Sequence, residues 1–283
     1  MSDLMDKAEI IEGRSNKPCN DWPSQTLIVW LGAQIIMDVG RMIKDIAKTT
    51  LHSIGLEGPA LRVWSKLRSR GWTPWTPLVP AESYSSCLRD ALDRLQAVTG
   101  EPPRGAYVEF GVSRGTSLTC AFHVVQEAGY GDMRLIGFDS FEGLPPSAAE
   151  EGWHPGDFCS SITATRRYLD KNGVDLDRVT LVKGWFEETL TDDTRSLYDL
   201  GPMSVIMIDC DLFSATEQVL RFCAPHIGSH AVIIFDDWGW RSDTGDIGEK
   251  EAFEAFLQAN PSLRADPLPA YRPEARIFLL TRG

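Results

Sequence analysis

The chain is poor in the residues that build zinc sites, disulfide frameworks or membrane spans. Its six cysteines, Cys19, Cys87, Cys120, Cys159, Cys210 and Cys223, include no C-x-x-C pair. Free thiols in a reducing compartment are the reading they support. Its five histidines, at 52, 123, 154, 226 and 230, are scattered, which argues against zinc. The longest apolar stretch, Leu27 to Met37, is broken by Gly32 and Gln34 and stops at Asp38. That is shorter than the ~20 residues a helix needs to span a bilayer. The first residues, MSDLMDKAEIIEGR, are acidic and mixed, unlike a signal peptide. Positive charge is also scarce: 28 Lys and Arg face 40 Asp and Glu, a net charge of -12. Such a surface repels phosphate backbones and anionic lipid. Nucleic acid and membrane are therefore excluded as expected partners. A cytoplasmic protein acting on a small neutral or cationic molecule, or holding a metal, is expected. There is no internal repeat and no low-complexity tract.

What is present is an ordinary globular composition, 43% hydrophobic and 24% charged over 283 residues. The length suits one large α/β domain with an extension. Residues 1–80 read as a leader and helical extension. Apolar spacing predicts a helix over 26–47, for packing, for a lid or for a dimer contact. Residues 71–80, GWTPWTPLVP, hold three prolines and read as a connector. Residues 81–283 read as the main domain, opening with an amphipathic helix over 83–98. Past Gly105, short β-rich runs (106–110, 134–139, 179–183, 205–209, 232–235 and 275–280) alternate with helical stretches (116–128, 162–171, 217–224 and 249–258). That alternation predicts βαβ units in a mostly parallel sheet with helices on both faces. In such sheets ligands bind at the carboxyl ends of the strands.

The first strand end reads Glu109-x-Gly111-x-x-x-Gly115-Thr116-Ser117. Glycines let the backbone turn sharply and approach a ligand, and the helix N-terminus behind them offers free N–H groups that Thr116 or Ser117 can cap. A purely structural turn is the plainer alternative. The second strand ends in Asp139 and Ser140, 24 residues after Gly115. An acid there commonly accepts hydrogen bonds from ribose hydroxyls, although a helix cap would look the same. The third ends at Gly184, with Trp185 and Phe186 placed either to stack on an adenine or to fill the core.

The fourth and fifth strand ends are the most informative. One carries Asp209-Cys210-Asp211 and the other Asp236-Asp237. Four carboxylates on one rim repel one another and raise each other's pKa unless a cation sits between them. A hard divalent ion with oxygen ligands answers that need.

Taken in order, EFGVSRGTS, GFDSFEGLP, KGWFEETL, IDCDLFSATEQVL and VIIFDDW resemble the macrocin/mycinamicin (TylF-like) O-methyltransferase family, over about residues 105–260. The resemblance implies a class I methyltransferase, Rossmann-like fold with a seven-stranded sheet whose last strand runs antiparallel. It implies S-adenosylmethionine as donor, Mg²⁺ or another divalent cation, and a homodimer or higher homo-oligomer. By motif it implies metal ligation by Asp209, Asp236 and Asp237 and a general base at Asp211. It further implies a ribose contact at Asp139 and a mobile lid between Pro145 and Arg166. A hydroxyl of a sugar or glycosylated natural product, as in antibiotic biosynthesis, is the implied acceptor. Phe213 departs from the family pattern, where tyrosine is common. A catechol-type enzyme is the alternative, but Leu212 and Phe213 follow Asp211 where those enzymes usually place lysine. An NAD(P)-dependent dehydrogenase would need a tighter glycine fingerprint, and a non-catalytic relic would be free to lose the four acids.

Overall fold

The computed structural model describes residue 77, residues 79–239 and residues 247–283. The helix expected at 26–47 lies outside the described residues, as does most of the 71–80 connector. In chain order the elements are α1 (Ala81–Thr99), β1 (Ala106–Phe110), α2 (Thr116–Glu127), β2 (Leu135–Asp139), α3 (Ile162–Lys171) and β3 (Val179–Lys183). There follow α4 (Phe186–Thr189), α5 (Asp192–Leu197), β4 (Met203–Ile208), α6 (Phe213–Cys223), β5 (His230–Phe235), α7 (Glu249–Ala259), β6 (Leu263–Leu268) and β7 (Arg276–Arg282).

The strands form one seven-stranded sheet in the order β3-β2-β1-β4-β5-β7-β6. The first five are parallel to one another. β7 runs antiparallel to both of its neighbours. Central β4, MSVIMI, is buried at every position because helices cover both faces of the sheet. Val205 and Met207 pack with Leu88, Leu92, Leu118 and Val125 of α1 and α2. Ile206 and Ile208 pack on the other face with Val219, Phe222 and Phe253 of α6 and α7. Helix α1 buries Tyr84, Leu88, Ala91, Leu92 and Leu95 along one stripe and stops at Gly100 in the left-handed conformation.

Three departures from the expected pattern have local causes. Helix α6 begins at Phe213, four residues before the expected 217. Its own N-cap residue, Leu212, has no capping side chain, and a distant carboxylate described below does that work. Strand β6, the seventh that the resemblance implied, was not located in the residue pattern, because Pro267 interrupts it. It pairs with β7 alone, so the missing proline N–H faces no second neighbour. The helices α4 and α5 are too short to show a period.

Chain order along the sheet reverses between β1 and β4, which opens a crevice at their carboxyl ends. Gly111 sits there with φ 90°. Its N–H donates to the Phe138 carbonyl at 2.9 Å, while the Asp209 N–H donates to the Phe110 carbonyl at 2.9 Å. A Cβ at position 111 would stand 1.8 Å from the Asp209 carbonyl oxygen. This glycine is required by packing between strand ends. Gly111→Ala combines a left-handed residue with an overpacked contact. It is expected to cost ~3 kcal/mol or more, read as a lowered guanidinium midpoint at unchanged m-value. A midpoint within error of wild type would refute the close-packed junction.

Candidate active site

On the β1–β3 side of the crevice, the glycine turn leads into α2 with Gly115 (φ 92°) as N-cap and no side-chain cap. Ser117 does not cap the helix as expected. Its hydroxyl donates to Oε1 of Glu109 at 2.8 Å, and Tyr107 Oη donates to Oε2 at 2.6 Å. Tyr84 of α1 completes the network, its hydroxyl 2.7 Å from that of Tyr107. Glu109 is fully buried. Burial pushes its pKa up to about 8, against the opposing pull of the Tyr107 and Ser117 hydrogen bonds. The structure thus places Glu109 under α1 and α2, behind the turn.

Asp139, at the end of β2, braces the turn. Its Oδ2 accepts N–H groups from Val112 at 2.8 Å and Ser113 at 2.7 Å, and its Oδ1 accepts from Phe141 at 2.5 Å. Burial raises its pKa while these three backbone donors lower it. Asp139 also lines the crevice.

On the other side the acids converge as expected. Carboxylate oxygens of Asp209, Asp236 and Asp237 lie within 4.8 Å of one another. Burial, then Asp236 and Asp237, pushes the Asp209 pKa well above the ordinary range. Asp237 is pushed up to about 6 by burial and by Asp236. Asp211 bonds to the Asp237 side chain. Its backbone is left-handed, φ 61°, in a tight turn closed by Leu212 N–H onto the Cys210 carbonyl at 2.6 Å.

Three participants were not anticipated. Glu249, the first residue of α7, is fully buried. It accepts N–H groups from Cys210 at 3.4 Å and Asp237 at 3.0 Å, so one carboxylate ties the β4 and β5 loops together. Its only sequence signal was the start of a helix. Arg272 Nη2 lies 2.5 Å from Asp236 Oδ2 and 3.2 Å from Asp237 Oδ1. Tyr271 Oη donates to Asp236 Oδ1. Both come from the β6–β7 connection, and proline-rich residues 267–273 carried no pattern that pointed to them. The acid cluster is thus partly neutralised by the protein itself, which the sequence argument did not foresee.

A cavity of about 700 Å³ joins the two sides. Gly111, Asp139, Ser140, Gly184, Trp185, Phe186, Asp209, Asp211, Asp236 and Asp237 all line it, with Arg272 beside them. Of the residues expected to contact the cofactor, Glu109, Gly115, Thr116 and Ser117 are absent from that lining and stand behind it. The opposite wall is a flap: a 3₁₀ turn over Pro146–Glu151, then Trp153 and Phe158, whose rings meet edge-on with centroids 6.0 Å apart. Glu151 clasps the flap to α6, accepting N–H groups from Phe213 at 2.7 Å and Ser214 at 3.3 Å. Ser113, Phe158 and Asp211, which line the cavity, are non-glycine residues with positive φ. Such strain concentrates at functional sites.

Glu109 gives this buried network a measurable pH signature. Its folded pKa of about 8 lies above the 4.5 of an ordinary glutamate. The stability it contributes is complete below about pH 4.5 and is lost as pH rises through about 8. Glu109→Gln has no charge to bury, so its melting temperature should gain on wild type between pH 5 and 9 and lose that advantage below pH 4.5. Parallel melting curves would contradict a neutral Glu109.

Among the described residues no helix is long and apolar enough to cross a membrane. Two curated relatives align with the chain. The first, from Streptomyces olivaceus, is an 8-demethyl-8-(2,3-dimethoxy-alpha-L-rhamnosyl)-tetracenomycin-C 4'-O-methyltransferase, 27% identical over 186 residues, covering 61% of this chain and 67% of that one. The second is the mycinamicin III 3''-O-methyltransferase of Micromonospora griseorubida, 27% identical over 145 residues, covering 47% and 55%. The chain therefore spans about two thirds of the first and just over half of the second. Among solved structures the O-methyltransferase NovP superposes with a TM-score of 0.59 at 19% identity, over 77% of this chain and 88% of that one, a likeness of fold. Residues 74–259 match the macrocin-O-methyltransferase (TylF) family throughout. The chain belongs to that family of S-adenosylmethionine-dependent O-methyltransferases, built on the class I Rossmann-like fold.

Proposed function

We propose that the protein methylates a hydroxyl of a sugar or glycosylated small molecule, with a divalent cation, magnesium or another, held by Asp209, Asp236 and Asp237. The observation that carries this reading is the convergence of three carboxylates from two strand ends, within 4.8 Å, on the floor of one cavity. The printed activities of the two curated relatives, both O-methyltransferases of glycosylated natural products, support the acceptor class.

The donor set fits a hard cation. Two oxygens on opposite sides of one ion would stand at most ~4.2 Å apart for Mg²⁺ and ~5.2 Å for Ca²⁺. The observed spread, within 4.8 Å, lies between those two limits, so the carboxylates would draw in slightly around the smaller ion. Asp236 spends one lone pair on Tyr271 and one on Arg272, and a carboxylate has about four. When bound, the cation supplies Lewis acidity that lowers the pKa of a coordinated hydroxyl.

The chain's own residues do the rest. S-adenosylmethionine brings a methyl group that is already electrophilic, so catalysis consists mainly of aiming the acceptor oxygen at it. Gly111, Asp139, Gly184 and Trp185 border the part of the cavity nearest β1 to β3 and receive the donor. Asp211 stands beside the acid cluster with its backbone locked in a tight turn. From there it takes the acceptor proton as the methyl group transfers. Trp153, Phe158 and the Leu144–Pro146 stretch present apolar surface over the acceptor and keep water from it. An NAD(P)-dependent dehydrogenase has no support in a family of methyltransferases.

Chelation tests the metal role. EDTA should abolish turnover and added Mg²⁺ should restore it, whereas Asp209→Asn and Asp237→Asn should stay inactive with Mg²⁺ present. Asp211→Asn should lower the rate ~10²- to 10⁴-fold while calorimetry finds S-adenosylmethionine bound nearly as before. Full activity after chelation would remove the metal from the reading. Mass spectrometry of products from a panel of hydroxylated glycosides would identify the acceptor.

A further inference from the structure

The placement of β7 has a consequence at the metal-binding rim. It pairs antiparallel with β5, opposing Arg276 to Phe235. The connection that precedes β7 therefore lies at the carboxyl end of β5, directly over Asp236. In this way the antiparallel pairing of β7 with β5 delivers Tyr271 and Arg272 to the acid cluster.

Tyr271 is buried, only 8% exposed. Its hydroxyl donates to Asp236 Oδ1, and Arg272 Nη2 takes Oδ2 at 2.5 Å. Each oxygen of Asp236 is thus held by a different donor, one neutral and one cationic. The Tyr271 ring is itself fixed. It meets Tyr84 edge-on, with centroids 5.1 Å apart and planes at 80°. Tyr84 is fully buried in α1 and bonds through Tyr107 to Glu109. Three tyrosines therefore join the buried acid behind the cofactor turn to the carboxylate at the end of β5.

We propose that Tyr271 is a positioning residue for the metal ligand Asp236, a reading that rests on the proposed metal site. With both donors in place, the carboxylate cannot rotate, and its remaining lone pairs stay turned toward Asp209 and Asp237. Without the Tyr271 hydroxyl, Oδ1 loses its partner and the carboxylate is free to turn both oxygens onto the Arg272 guanidinium. The arginine then gains a bidentate partner at the expense of the ion. Outer partners of metal ligands typically account for ~10- to 100-fold in metal affinity.

Manganese binding to the full-length protein, followed by electron paramagnetic resonance, provides a readout independent of activity. Tyr271→Phe removes one oxygen, keeps the ring against Tyr84, and should fold as wild type does by circular dichroism. Its Mn²⁺ dissociation constant should rise ~10- to 100-fold. The maximal methylation rate should return to within about threefold of wild type at saturating Mn²⁺, because the ligand itself remains. A purely structural role would lower the maximal rate and leave the Mn²⁺ requirement unchanged. An unaltered Mn²⁺ dissociation constant for Tyr271→Phe overturns the proposal. If wild type and Asp236→Asn alike bind no Mn²⁺, the metal reading itself is lost, an outcome distinct from failure of the positioning role.

Discussion

Repulsion between carboxylates that share one low-dielectric corner is the constraint around which this molecule is arranged. Burial first, and then the neighbouring acids, push the pKa of Asp209, Asp211 and Glu249 well above the ordinary range, and among the described residues Arg272 faces Asp236 and Asp237 as a cation. The protein contains that tension in three ways. Backbone N–H groups of Cys210 and Asp237 take up Glu249. A guanidinium and a phenol take up Asp236. Asp211 and Asp237 bond to each other. What remains is a set of carboxylate oxygens from Asp209, Asp236 and Asp237 within 4.8 Å of one another, the donor set of the proposed cation.

The sheet order makes this arrangement possible. Parallel strands send all their carboxyl ends to one rim, so β1, β4 and β5 place the glycine turn beside two acidic loops. Gly111 is the tightest point of that junction, where a side chain would collide with the strand end bearing Asp209. Because β7 runs antiparallel to β5, the connection that precedes it reaches this same rim.

Much of the site was legible in the sequence because strand-end acids in short apolar runs announce both their strand and their rim. The five parallel strands, the convergence of Asp209, Asp236 and Asp237, and the placement of Asp139, Gly184 and Trp185 at one cavity follow from that pattern. Glu109 was legible as an acid at the first strand end. That it lies behind the turn depends on Tyr107 and Ser117, side chains two and eight residues away whose orientation no period encodes. Glu249, Tyr271 and Arg272 were not legible. They reach the site through tertiary packing from a helix start and a proline-rich connection, and neither carries a spacing tied to Asp236. Strand β6 was hidden for the related reason that an edge position tolerates a proline the pattern forbids.

The clasp between Glu151 and α6 links two events that a cavity with a flap would otherwise keep separate. The first turn of α6 follows Asp211 immediately, and Glu151 holds two of its unpaired N–H groups. Lifting the flap to admit an acceptor uncaps that helix, and an uncapped first turn frays. The loss is ~1 kcal/mol, about twice the thermal energy. Under the proposed function, entry of the acceptor and ordering of the turn beside Asp211 would thereby be coupled through one carboxylate.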